Sequence, residues 1–190
     1  MLLWREKIPA DWLPKVLNNL PAVLVDHAHL ERKAATTALV LEKYRDLFGR
    51  LEELNAIAIE ELQHFGLVLA LLKRRGIPFT ESRRSPWIAG LMQGIRQGAR
   101  QTVIDHLICC AFIEARSCEK FQILARELPG RDDELARFYA GLVESEGNHY
   151  ATYLLMARAI DDAETGRRLD FYLDLDAQLI RVPNPEPMLH

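Results

Sequence analysis

Two Glu-x-x-His tetrads, Glu61-Leu62-Gln63-His64 and Glu146-Gly147-Asn148-His149, hold residue types that chelate transition metals. Positions i and i+3 lie on one helix face, so each tetrad aims a carboxylate and an imidazole the same way. A lone glutamate stands upstream of each: Glu31, 30 residues before Glu61, and Glu114, 32 before Glu146. Two such pairs plus two single glutamates form the donor set of a carboxylate-bridged di-metal site inside a four-helix bundle. Carboxylate and imidazole donors suit iron or manganese better than thiolate-loving metals. The three cysteines, Cys109, Cys110 and Cys118, include no Cys-x-x-Cys pair, which excludes a zinc ribbon or a rubredoxin-like iron site.

Each candidate ligand sits on the apolar stripe of its helix. Glu31 is flanked one turn away by His27, Ala28, Ala34 and Ala35, and Glu61 by Ile57, Ala58, His64 and Phe65. Glu114 has Cys110, Ala111, Ser117 and Cys118 as such neighbours, and Glu146 has Leu142, Val143, His149 and Tyr150. Glu60 and Glu144 fall on polar faces and are left out of the site. Four carboxylates turned to one core repel each other, and burying each unpaired charge costs several kcal/mol. Two cations remove that cost. His27 is read as a core histidine, with a place beside the site as the alternative. Cys118, one turn after Glu114, is a candidate for a substrate pocket against a default role as a small core residue.

The elements that must position these residues are helical, and no strand pattern is visible. A short amphipathic piece covers about 10–19. Helix A is expected from about Pro21 to Phe48 with Gly49 as its stop, and helix B from about 51 to 75. A crossover follows, with a short helix opening at Ser85-Pro86. Helix C spans about 98–127, helix D runs from the acidic cap Asp132-Asp133 to about 160, and a fifth helix covers about 161–180. The segment RVPNPEPMLH reads as extended. The sequence midpoint between Glu114 and the Glu146/His149 pair falls on Pro129-Gly130, and that between Glu31 and Glu61/His64 falls beside Gly49. Antiparallel helices folded at those turns bring all six groups to one level. The expected fold is an all-α bundle of two antiparallel hairpins, plus an extra C-terminal helix, in a single domain over 1–190.

The formal net charge of −3 is unevenly spread. Residues 73–100 hold Lys73, Arg74, Arg75, Arg83, Arg84, Arg96 and Arg100 against the single acid Glu81. A local excess of this size points to a polyanionic partner or to a solvated loop. Trp87 and Phe79, between the basic clusters, could stack on bases or anchor the crossover. No run of about 18 apolar residues suggests a membrane span. Charges near the N-terminus do not fit a signal peptide, so a cytoplasmic location is expected.

The ligand set resembles that of the ferritin-like di-iron carboxylate superfamily over about residues 21–160. Ferritins usually lack a histidine in the second motif, where this chain has His149. Radical-generating reductase subunits carry a tyrosine where this chain has Val68. More closely, the chain resembles the tRNA hydroxylase MiaE family in its size and in DHAHLERKAA, EELQHF, FIEARSCEKF and ESEGNHY. That resemblance implies a di-iron monooxygenase using O2 and an external electron donor, such as a reductase. Its substrate would be the isopentenyl side chain of 2-methylthio-N6-isopentenyladenosine at position 37 of tRNA, beside the anticodon. The implied iron ligands are Glu31, Glu61, His64, Glu114, Glu146 and His149. Lys73, Arg74, Arg75, Arg83, Arg84 and Trp87 become candidates for tRNA contact, and Cys118 for the alkyl group. Two alternatives are an oxidase or oxygenase acting on another apolar substrate, and a non-enzymatic iron-binding bundle. The fifth helix, capping the bundle, favours a monomer.

Overall fold

The computed structural model describes residues 3–190 and, among them, is all-helical. A short α1 (Trp12–Leu17) leads into α2 (Leu20–Leu41), and α3 spans Leu51–Arg74. The crossover carries α4 (Pro86–Gln93), before the long pair α5 (Ala99–Glu127) and α6 (Asp133–Ile160). Last comes α7 (Asp162–Ile180). The most extensive pairings are α5 with α6 and α2 with α3, which makes a four-helix bundle of two hairpins.

Local chemistry sets the boundaries. Ser85 Oγ accepts the Ile88 amide, Asp132 Oδ1 accepts that of Leu135, and Asp161 Oδ1 accepts that of Glu164, so three helices start on side-chain caps. Gly130, at φ 78°, makes the left-handed turn that ends α5 and lets α6 fold back. Helix A is shorter than the sequence suggests. It stops at Leu41, and residues Arg45–Arg50 form a separate 3-10 helix. The physical cause is tertiary: Tyr44 is extended and bonded through its hydroxyl to His106 Nδ1 at 2.9 Å, while Leu47 plugs the core. The midpoint between Glu31 and the second-helix ligands still falls within this connection.

Two apolar clusters fill the bundle on either side of the level of the glutamates. One contains Ala38, Ile57, Ala58, Ala111 and Tyr153, and the other Val25, Ala28, Val68, Phe121 and Leu142. Burial of both supplies most of the drive for assembly. The stretch Arg45–Arg74 is long and apolar enough by length and composition alone to cross a membrane. Here it forms the 3-10 helix and then α3, whose inner face carries Glu61 and His64.

The crossover and α7 are pinned to α5 by buried ion pairs. Arg116, fully buried, bonds Asp176 at 2.5 and 3.2 Å, and Trp87 Nε1 donates to the same carboxylate at 3.0 Å. Asp105, also fully buried, is clamped between Arg96 and Arg168. Gly90 of α4 packs so closely on Leu179 of α7 that an added Cβ would lie 2.4 Å from a methyl group. Removing one member of a buried pair strands the other charge. Asp176→Ala is therefore expected to cost about 3–5 kcal/mol in chemical denaturation, against about 1 kcal/mol for the exposed Asp174→Ala. A cost for Asp176→Ala no larger than that for Asp174→Ala would contradict this anchoring.

Candidate metal centre

The bundle brings all six sequence-derived groups together. Donor atoms of Glu31, Glu61, His64 and Glu146 lie within 4.8 Å of one another, as do those of Glu61, Glu114, Glu146 and His149. Glu61 and Glu146 belong to both sets, the arrangement of two adjoining cation positions sharing carboxylates. All six side chains are buried. His64 Nδ1 faces Glu31 at 3.5 Å, Glu146 at 3.7 Å and Glu61 at 3.9 Å. His149 Nδ1 comes within 2.7 Å of Glu61 Oε1, off hydrogen-bonding geometry.

The polar groups at this level are left unpaired by the protein itself. Glu61 Oε1, His64 Nδ1, Glu146 Oε1 and His149 Nδ1 are all buried without a hydrogen-bond partner. Such orphans are costly unless something else binds them. Their convergence and their oxygen-and-nitrogen chemistry fit a pair of transition-metal ions. Two neighbours orient the donors. His27 Nε2 hydrogen-bonds Glu31 Oε1, and His149 Nε2 lies 2.8 Å from Glu60 Oε2. An imidazole tied to a carboxylate through its outer nitrogen presents the inner one to a metal.

Electrostatics point the same way. Burial, reinforced by the charges of Glu114 and Glu31, pushes the Glu61 carboxyl up to about 12. Burial and the same neighbours raise Glu146 well above the carboxylate range, and burial raises Glu114 too. Burial also works against the Glu31 charge, but the His27 charge and hydrogen bond outweigh it and hold that carboxyl low. Without cations, then, the cluster stays together by keeping protons on some of its acids.

A cavity of about 480 Å³ opens onto the cluster, with Glu31, Glu61, Glu114 and Glu146 in its lining. Its remaining walls are mostly apolar and include Ile88, Cys110, Ile113, Phe121 and Tyr153. Exposed Arg32, Lys33, Thr36 and Met92 mark its mouth.

Several sequence-derived contacts lie elsewhere. Cys118 is outside this cavity, its thiol directed at the Val143 carbonyl, and Cys110 is the cysteine on the wall. Trp87 is buried and anchors the crossover through Asp176. Four of the seven basic residues of the run are paired: Arg74 with Glu134 of α6, Arg75 with Glu134 and with Asp132, the residue that caps α6, Arg83 with Glu186, and Arg96 with Asp105 and Glu164. Among the described residues, Lys73, Arg84 and Arg100 have no acid within ion-pair distance, and Arg100 donates to the Ile160 carbonyl. By sequence, Glu60 falls on a polar face outside the site. Its carboxylate is half exposed, yet it reaches His149 across 89 residues of sequence, a contact no local pattern encodes. His27 had a legible cue, one turn before Glu31 on the same face.

A family model described as tRNA-(MS[2]IO[6]A)-hydroxylase (MiaE) matches residues 2–190. The chain belongs to this family. A MiaE relative from Pseudomonas putida, named tRNA 2-(methylsulfanyl)-N(6)-isopentenyladenosine(37) hydroxylase, is 37% identical, the match covering 96% of this chain and 88% of the relative. One of the same name from Salmonella typhimurium is 31% identical, over 96% of this chain and 85% of the relative. A solved structure, a Synechococcus protein with aldehyde deformylating oxygenase activity, superposes with a TM-score of 0.90 at 28% identity. That match covers 100% of this chain and 96% of the neighbour, and it agrees with the ferritin-like bundle expected for the MiaE family.

Two predictions follow from the cluster. Glu114→Ala and His149→Ala should lower bound iron from about two per chain toward one or none, by elemental analysis, while Glu60→Ala keeps the stoichiometry and weakens affinity about 10–100-fold. Unchanged iron in both ligand variants would refute the assignment. The second concerns pH. A carboxyl raised when folded favours the metal-free fold below its unfolded value of 4.5, and that contribution is lost as pH rises toward about 12. Metal binding displaces the protons. The gain in Tm on metal loading should therefore widen steadily between about pH 5 and pH 9. A constant gap would contradict the protonated cluster.

Proposed function

We propose that this chain is a di-iron monooxygenase that hydroxylates the isopentenyl side chain of 2-methylthio-N6-isopentenyladenosine at position 37 of tRNA. The observation that carries the reading is a six-donor centre whose four glutamates line an apolar cavity, in a chain that belongs to the MiaE family. Glu31, Glu61, His64, Glu114, Glu146 and His149 would hold two irons, and an iron pair so held supplies O2 activation for attack on a C–H bond.

The chain's own residues do the rest. Ile113, Cys110 and Tyr153 wall the space next to Glu114 and keep water from the reacting carbon. Their apolar surface suits a branched five-carbon group and offers its heteroatom-free end no hydrogen bond. His27 fixes Glu31, and Glu60 fixes the His149 ring, so neither donor has to reorganise during turnover. A base beside an anticodon is single-stranded and enters such a cavity without a duplex being opened. Arg32 and Lys33, exposed at the mouth, would meet the flanking phosphates. This adds the exposed face of α2 to the docking surface, beside the crossover residues Lys73 and Arg84 that have no acid partner among the described residues. Balancing a C–H hydroxylation takes two electrons per O2, so the reading includes an external reductase as partner. A tRNA substrate goes with a cytoplasmic location.

A second reading, oxygenation of a free aliphatic substrate, is favoured by the structural likeness to the Synechococcus oxygenase and by the same apolar walls. Nucleoside analysis decides between them. Iron-loaded protein, a reductant and O2 are expected to add one oxygen atom to the isopentenyl adenosine of hypomodified tRNA. Unaltered nucleosides, under conditions where a fatty aldehyde is consumed, would overturn the tRNA reading in favour of the second. Arg32→Glu with Lys33→Glu should weaken tRNA binding, lower the salt slope by about one per lost phosphate contact, and leave iron content intact. Undiminished affinity in that variant would remove α2 from the docking surface.

A further inference from the structure

We propose that residues 182–190 form a strap whose His190 side chain closes the blind end of the substrate cavity and sets the length of alkyl group it accepts. The inference rests on the tRNA-hydroxylase reading and names a specificity-determining residue for it. The strap has no helix, but its final residues, Met188, Leu189 and His190, are buried. It is tied down along its length. Lys15 Nζ donates to the Asn184 carbonyl at 2.5 Å, Arg83 pairs with Glu186, and Trp12 Nε1 donates to the Met188 carbonyl at 3.2 Å. The Leu189 amide donates to the buried Asp26 carboxylate at 2.9 Å, which also accepts from Ser82 Oγ at 2.8 Å.

These ties deliver one ring to one place. His190 stacks on Trp87 with centroids 5.2 Å apart and planes 14° from parallel. Its Nε2 lies 2.9 Å from Ser117 Oγ and its Nδ1 3.3 Å from Lys120 Nζ. Ser117 is one turn beyond Glu114 on α5. The His27 and Phe121 rings lie with centroids 5.0 Å apart, so α2 and α5 meet at this end of the cavity. The cavity thus extends from the exposed mouth at Lys33 and Thr36 to a buried end formed by His27, Phe121, Leu189 and His190.

Behind that end lies a second apolar cavity of about 280 Å³, lined by Trp12, Trp87, Lys120 and the strap itself. His190 lines both cavities. It is therefore the partition between them, not merely a packed terminus of the strap. Both ring nitrogens are engaged, and burial together with nearby Lys120 keeps the ring neutral, so it presents a fixed wall to an apolar group.

The test uses this chain in its metal-free form and two anticodon stem–loop RNAs. One carries an N6-isopentenyl adenine, the other an N6-geranyl adenine, which is longer by one five-carbon unit. Affinities are read against the unmodified stem–loop. Native protein should favour the isopentenyl RNA over the geranyl RNA by at least about tenfold, a difference of about 1.4 kcal/mol. His190→Ala and His190→Val, which open the partition, should bring the ratio near one, and His190→Phe, which keeps the bulk without the hydrogen bonds, should retain it. A preference that persists in both small variants would overturn the partition. Loss of preference in His190→Phe would overturn a steric wall. Equal binding of both alkylated RNAs and the unmodified RNA by native protein would instead remove the alkyl group from the cavity, and with it the tRNA reading on which the partition depends.

Discussion

Four glutamates buried at one level of an apolar bundle are the constraint around which this protein is organised. Like charges in a low-dielectric core are mutually repulsive, and their burial alone drives Glu61, Glu114 and Glu146 toward the protonated form. Nothing in the surrounding apolar clusters relieves that cost, since they supply no cations at this level. The histidines relieve part of it: His27 against Glu31, and His149 between Glu61 and Glu60. Glu61 Oε1, His64 Nδ1, Glu146 Oε1 and His149 Nδ1 remain unpaired, and they share one space. A centre that is costly when empty and satisfied when loaded couples metal binding to folding.

The remainder of the chain makes that costly layer tolerable and gives it access. Two hairpins supply one Glu and one Glu-x-x-His each, which is the least sequence that surrounds two cations from four sides. Buried Arg116–Asp176 and Asp105 with its two arginines hold the crossover and α7 against α5. Buried pairs of this kind contribute little net stability and much specificity of placement. Here they fix α4 over the cavity, where Ile88 and Met92 become part of its wall. The bundle, the crossover and the strap thus act on one cavity from three directions.

The donor set was legible in the sequence because its physics is local. A Glu-x-x-His step on a helix, an apolar face and a midpoint on a turn can be read without tertiary information, and Glu31, Glu61, His64, Glu114, Glu146 and His149 do come together. The helices were legible for the same reason, apart from the end of α2, where Leu47 and the Tyr44–His106 contact break a periodicity that continues in sequence. The pairing of the basic run was not legible. Arg75, Arg83 and Arg96 meet their acids across 57, 103 and 9 residues, and only a folded chain shows those ion pairs. His190 carries no local cue, because burial of its extended segment depends on Trp12, Lys15 and Asp26, each more than 160 residues from its partner there.

The six donors are expected to hold two irons as one unit. Mössbauer spectroscopy of the native chain reconstituted with iron-57 is the test. Two irons per chain and a single diamagnetic, spin-coupled ferric pair are expected in the oxidised protein. Uncoupled mononuclear ferric iron, or iron that washes out on gel filtration, would contradict that expectation.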